Sequence, residues 1–142
     1  MKPHDPLNAY RETQIKTANQ IRLIVMLYDG AIRHLNLALD AFQEGHRRYD
    51  VINTHLISAQ DILSELMASL DFDKGGVIAK NLFSLYSFMN RRLLDGNLKK
   101  DPAPLAEVKK MLGDLREAWE EISTRKGLEE NGTPATGVNI AG

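Results

Sequence analysis

The side chains best suited to chemistry in this 142-residue sequence are its four histidines. Near neutral pH histidine can act as a general base, a metal ligand or a nucleophile. Metal-binding helices place their ligands three or four residues apart, and no two of the four have that spacing: they are His4, His34, His46 and His55. The pattern predicts no metal site, no cofactor and no catalytic centre.

Phosphoryl transfer is the alternative for the two histidines that lie in predicted helices. A small helical bundle can carry a phosphoryl group on an exposed histidine, and such domains typically place a lysine three residues later. Here Leu37 follows His34 and Ser58 follows His55 at that distance. A structural role is therefore favoured for both histidines, and a phosphotransfer domain stays a secondary hypothesis.

Glycine patterns offer only one candidate anion site. Gly75 and Gly76 could approach an anion at a helix N-terminus, but two glycines more often form a joint between helices. The nucleotide-binding and hydrolase motifs GxxxxGK[ST], GxGxxG and GxSxG do not occur. We therefore expect no enzymatic activity.

Composition narrows the class of partner. The formal net charge of −1 gives no electrostatic basis for binding nucleic acid or an anionic membrane. Cysteine is absent, which fits a reducing compartment. The N-terminus lacks the apolar region of a signal peptide, and no apolar run is long enough to span a bilayer. These features predict a cytoplasmic protein without membrane insertion.

Apolar residues recur at helical spacing through most of the chain, and no strand pattern competes with them. Thr17 with Gln20 resembles a capping box at the start of helix one, and Asp101 precedes Pro102 as a cap for helix four. The predicted helices span residues 17–42, 50–70, 75–98 and 102–124. We expect an all-α antiparallel four-helix bundle, comprising a leader (1–16), the bundle (17–124) and a disordered tail (125–142).

Helix one is apolar on two faces, whereas a surface helix of a small domain normally has one. The first face comprises Ile21, Ile24, Val25, Tyr28, Ala31, Ile32, Leu35, Leu39 and Phe42. The second comprises Leu23, Met26, Leu27, Gly30, His34, Leu37 and Ala41. Either neighbouring helices cover both faces, or the second is a surface for a partner.

Several other apolar residues have distinct expected roles. Tyr28 and Tyr86 fall on apolar stripes, so we expect buried rings with hydrogen-bonded hydroxyls. Ile78 lies on the predicted buried face of helix three. Three residues lie off the buried stripes and add to the candidate partner surface: Ile57, Phe83 and Leu94.

Five motifs together resemble the FliS family of flagellar secretion chaperones. They are NAYRETQIKTA, IVMLYDGAIRHLNLA, AQDILSELMASLDFDKGG, IAKNLFSLYSFMNRRLL and EVKKMLGDLREAWEEI, and they occur in the family's order and spacing across about residues 7–123. Two positions depart from the family pattern. Val77 replaces a common glutamate, and Gly96 replaces the usual alanine, which predicts fraying at the end of helix three.

The resemblance implies a cytosolic helical bundle that binds the C-terminal segment of newly made flagellin. Binding in apolar grooves would prevent premature polymerisation and hold the subunit for the flagellar type III export gate. Export-gate components or a co-chaperone are further possible partners, and the chain would be a monomer or weak dimer. A homodimeric structural bundle is the alternative use of the surplus apolar surface.

Candidate flagellin contacts come from the resemblance and from the helical wheel. The leader tyrosine, which resembles one that can occupy the groove when cargo is absent, belongs to this set. The candidates are Asn8, Tyr10, Ile15, Leu23, Leu27, Tyr28, Gly30 and Leu37.

Overall fold

A computed structural model describes residues 6–44 and 48–130 of the chain. The described residues form four helices and no strand, which confirms the predicted all-α class. The helices are α1 (Pro6–Gln43), α2 (Tyr49–Ala68), α3 (Phe72–Lys99) and α4 (Ala103–Glu130). The predicted stop of helix one at Gly45 lies outside the described residues.

Two compact units make up the described residues. The larger lies within residues 27–115, and the smaller comprises residues 6–26 and 116–130. In the larger unit the fully buried side chains are almost all apolar, and burial of each large one is worth about 1.5–3 kcal/mol. They include Tyr28, Leu35, Ile52, Leu56, Leu63, Leu66, Tyr86, Met89, Leu93, Leu105, Val108 and Leu112.

The second half of α1 packs antiparallel against α2. His34 contacts His55 through a hydrogen bond. Toward the N-terminus of α1, a Cβ on Gly30 would lie 3.3 Å from Ile62 Cδ1. The residue number falls on one helix as it rises on the other, which gives the antiparallel direction. Gly30 therefore permits close contact between the two helices, and this offsets its cost of about 1 kcal/mol inside a helix.

The pair α2 and α3 is also antiparallel. Asn97 donates a hydrogen bond to the Asn53 side chain at 2.9 Å, and Gln60 donates to the Asn90 carbonyl at 3.4 Å. The two bonds lie seven residues apart on each helix, along the line where α2 meets α3. We call this line the seam.

Helix one was predicted to begin at Thr17, after a leader of residues 1–16. This start is wrong, because α1 begins at Pro6 and includes the described part of the leader. The capping role of Thr17 is also wrong, since its hydroxyl donates to the Thr13 carbonyl inside the helix at 2.9 Å. Proline suits the first helical turn, and the Arg, Glu, Gln and Lys residues that follow have good helix propensity. Extending a formed helix costs far less than nucleating one, so α1 runs back beyond its apolar stripe.

The predicted tail begins too early, because α4 continues to Glu130. Charged pairs one turn apart favour this extension, since opposite charges at i and i+4 each stabilise a helix by about 0.2–0.5 kcal/mol. They are Arg116 with Glu120 at 3.2 Å and Glu121 with Arg125 at 2.9 Å. Residues 131–142, the rest of the predicted disordered tail, lie outside the described part of the chain.

A capped turn and a kink open α3. The Asp71 carboxylate accepts hydrogen bonds from the backbone N–H groups of Asp73 and Lys74, both at 3.0 Å. The kink follows at Gly76, with φ +51° and ψ −124°. That backbone conformation strongly favours glycine, so Gly76 has a geometric role at this kink.

We expect Gly76→Ala to lower the free energy of unfolding by about 1–3 kcal/mol, because the alanine Cβ clashes with its own backbone at this φ and ψ. Gly113→Ala is the matched control. It lies inside α4, an added Cβ meets no atom within 4 Å, and alanine should stabilise the helix by up to about 1 kcal/mol. Urea unfolding measures both changes, and equal stabilisation by both would contradict the strained conformation.

Two predictions for α3 are wrong. Ile78 is 70% exposed, because it lies at the edge of a stripe whose buried position in that turn is taken by Ala79. Gly96 does not fray the helix, which continues to Lys99. An added Cβ at Gly96 would lie 2.7 Å from Leu105 Cδ1, so the missing side chain makes room for the start of α4.

Candidate partner-binding surface

The larger unit exposes a row of apolar side chains along the seam between α2 and α3. Ile57 is one turn from Asn53 on α2, and Leu94 is one turn from Asn97 on α3, so the two lie at the same level of the seam. Ile57 is 47% exposed and Leu94 is 49% exposed. This exposure agrees with their predicted position off the buried stripes.

The row continues along α3 in both directions. Leu98 lies one turn beyond Leu94, and Phe83 lies three turns before it on the same side of the helix. The Phe83 ring packs edge-on against Phe72, with 5.9 Å between ring centroids. We call these five exposed residues the seam patch: Ile57, Phe72, Phe83, Leu94 and Leu98.

The seam patch has the properties of a docking surface for an apolar helix. Apolar side chains exposed in a row mark partner sites, and two adjacent helices offer a groove for the apolar face of a third. Amide side chains of Asn53, Gln60 and Asn97 line the same seam, and their remaining donor and acceptor groups can hydrogen-bond to a bound segment. The arrangement suits binding, and it contains no acid–base pair.

Phe72 and Leu98 were missed by sequence reasoning. Phe72 lies in a segment that reads as an interhelical break, and Leu98 lies in the last turn of α3, where the apolar stripe is ending. Their chain positions gave no signal of a surface. Only the pairing of α2 with α3 places them in one row.

The second face of α1 divides along its length. Toward the N-terminus, Leu23 and Met26 are more than half exposed. Leu27, Gly30 and Leu37 are half-buried, and Ala41 is buried. In the larger unit, contacts from α2 near Gly30 and His34 account for part of this burial. The second face of α1 is therefore exposed toward the N-terminus and partly covered toward the C-terminus.

The candidate contacts from the sequence fall into separate groups. Four lie on the first half of α1 with exposed side chains: Asn8, Tyr10, Ile15 and Leu23. Leu27, Gly30 and Leu37 lie half-buried in the larger unit. Tyr28 is fully buried, so its ring supports the core and presents no surface to a partner in this conformation.

Tyr28 and Tyr86 are both buried, as predicted, and the structure shows that their hydroxyls bond to each other. Their hydroxyl oxygens lie 2.5 Å apart and share a hydrogen bond, with 6.4 Å between the tilted rings. Burial, followed by the hydrogen bond shared with Tyr28, raises the pKa of Tyr86 above its ordinary value. The Tyr86 hydroxyl therefore stays neutral at physiological pH, as a structural role requires.

Two further features, a metal-ligand cluster and a membrane-spanning helix, are not found among the described residues. No three His, Cys, Asp or Glu side chains among them converge as metal ligands. Within residues 6–44 and 48–130, no helix has both the length and the hydropathy of a membrane span.

Comparison with known proteins identifies the family of this chain. The family model described as "Flagellar protein FliS" matches residues 3–126. The flagellar secretion chaperone FliS of Salmonella typhimurium is 38% identical over 123 residues, covering 84% of this chain and 88% of that protein. Its namesake in Bacillus subtilis is 30% identical over 133 residues, covering 94% and 97%. The chain therefore belongs to the FliS family of flagellar secretion chaperones, which are chaperones and not enzymes.

Proposed function

We propose that this protein is a cytoplasmic chaperone for flagellin. It binds the C-terminal helical segment of flagellin, prevents premature polymerisation, and holds the subunit for export through the flagellar type III apparatus. The observation that carries the proposal is the seam patch, a row of exposed apolar side chains on a protein whose relatives are named flagellar secretion chaperones.

The physical mechanism is competition for an apolar surface. Flagellin terminal helices pack on one another in the filament, so a free subunit exposes apolar faces that associate with other subunits. The groove between α2 and α3 offers such a face a substitute partner, with Ile57 and Leu94 on its two sides. Ordering a flexible segment costs free energy, which keeps the affinity per buried area modest and suits a cargo that must later be released.

The first half of α1 is a second proposed contact surface, considered on its own. Its exposed apolar residues follow the helix for several turns, and Asn8 adds a polar contact near the start. Those most exposed are Leu7, Tyr10, Ile15, Leu23 and Met26. A cargo segment that wraps around a chaperone needs more than one contact surface. The first half of α1 would provide a second one, which extends along a single helix.

Titration calorimetry of the full chain with a flagellin C-terminal peptide tests the proposal. We expect saturable heat with a dissociation constant in the micromolar range, the order reached when folding accompanies binding. Circular dichroism should show helix gained in the peptide on mixing. Absence of heat together with absence of helix gain would contradict the proposal.

Sedimentation separates flagellin binding from the homodimer alternative. The seam patch could also associate with a second copy of the chain, because an exposed apolar row does not select its partner by itself. We expect a monomer or weak dimer that becomes a one-to-one complex when peptide is added. A tight dimer that the peptide neither dissociates nor joins would favour the structural bundle instead.

A further inference from the structure

Two histidines 21 positions apart in the sequence meet across the interface of α1 and α2. The Nδ1 atom of His34 lies 3.0 Å from the Nδ1 atom of His55, and the ring centroids lie 5.3 Å apart. Both rings are half-buried in the larger unit. The 3.0 Å separation is that of a hydrogen bond between the two nitrogens.

This contact can hold only one proton between its two nitrogens. An N–H···N bond needs a donor on one ring and a lone pair on the other, so at least one imidazole must be neutral. If both rings were protonated, each Nδ1 would carry a hydrogen and no lone pair would remain. Two like charges would then face each other at 3.0 Å in place of a hydrogen bond.

The surroundings also oppose a second positive charge. Burial, then the charge of His55 across the interface, then Arg33 on the same helix, lowers the pKa of His34. The helices are held close near this point by the contact of Gly30 with Ile62. A doubly charged pair is therefore relieved by turning a ring toward solvent or by separating α1 from α2.

We propose that His34 and His55 form a proton-sensitive contact that stabilises the packing of α1 on α2 at neutral pH and loosens it on acidification. The unfolded chain carries two ordinary histidines that take up protons near pH 6.5, whereas the folded pair resists its second proton. As the pH falls, the unfolded state therefore binds more protons than the folded state does. The pair therefore stabilises the folded state above about pH 6.5, and this stabilisation is lost as the pH falls below that value. If the unfolded state binds one more proton than the folded state, the folding equilibrium constant falls by up to about tenfold for each pH unit.

Urea unfolding of the full chain between pH 5 and pH 8, with a chelator present, tests this contact. The proteins compared are the wild type, His34→Gln, His55→Gln and the double variant. His4 and His46 are present in all four, so their titration cancels in the comparison. Between pH 7.5 and 5.5 we expect the wild-type folding constant to fall about tenfold relative to the double variant. Parallel pH profiles would overturn the proposal.

An NMR titration of the imidazole nitrogens in the folded wild type needs no variant to fold. We expect one of the two rings to titrate below pH 6.5 and the Nδ1 atoms to show complementary protonation at neutral pH. In the His55→Gln variant, the pKa of His34 should return toward its ordinary value. Two rings that titrate independently near pH 6.5 would overturn the proposal, whatever the stability measurements show.

Discussion

Leu94→Asp is expected to weaken binding of the flagellin C-terminal peptide by about 100-fold. Burial of a leucine against a partner is worth about 1.5–3 kcal/mol, and a carboxylate placed in the same contact must also be desolvated. A loss near 3 kcal/mol corresponds to about two powers of ten in the dissociation constant. Calorimetry with the same peptide measures the change. Since Leu94 is 49% exposed, the free energy of unfolding should change by less than about 1 kcal/mol.

Ile78→Asp is the matched control for the seam patch. Ile78 is also apolar and exposed on α3, but the helical rotation places it about 160° from Leu94. We expect its affinity for the peptide to change less than about threefold, because a charge added to an uncontacted surface is screened by solvent and salt. Equal losses in both variants would show that the seam patch does not locate the binding site, although binding itself would stand.

Leu35→Ala is expected to lower the free energy of unfolding by about 3–5 kcal/mol. Leu35 is fully buried in the larger unit, so truncation removes apolar contacts and leaves a cavity that the surrounding side chains can only partly fill. A loss of this size is a large share of the 5–15 kcal/mol that stabilises a typical domain. Urea denaturation followed by circular dichroism measures it as a lower midpoint with little change in slope.

Leu23→Ala makes the same chemical change on the same helix and is the control. Leu23 is 56% exposed, and alanine is the better helix former, so stability should change by no more than about 0.5 kcal/mol. The pair of variants tests whether the two apolar faces of α1 differ in role. Similar losses at both positions would mean that Leu23 is covered in solution.

Features that depend on neighbouring residues were predictable from the sequence. Asp101 was expected to cap helix four, and its carboxylate accepts a hydrogen bond from the Ala103 N–H at 3.0 Å. Within the helix predicted for residues 50–70, the apolar residues at helical spacing are the ones buried on α2, from Ile52 to Leu66. Caps and periodicity act within one or two turns, so the sequence contains most of what decides them.

Features that depend on residues far apart in the chain were not predictable in the same way. The role of Gly30 needs Ile62 on another helix, and the pairing of His34 with His55 cannot be seen in spacing along one helix. The early start of α1 was missed because the apolar pattern weakens before Thr17, although helix propensity does not.

The sequence alone determined that this protein is all-α, that Tyr28 and Tyr86 are buried, and that helix one carries more apolar surface than one face can bury. It also determined the family, because five motifs in register are specific. Tertiary structure alone decided how that surplus is divided, since a helical wheel shows which residues share a face but not how far neighbouring helices cover it. Contacts from α2 reach Gly30 and His34, while Leu23 stays exposed.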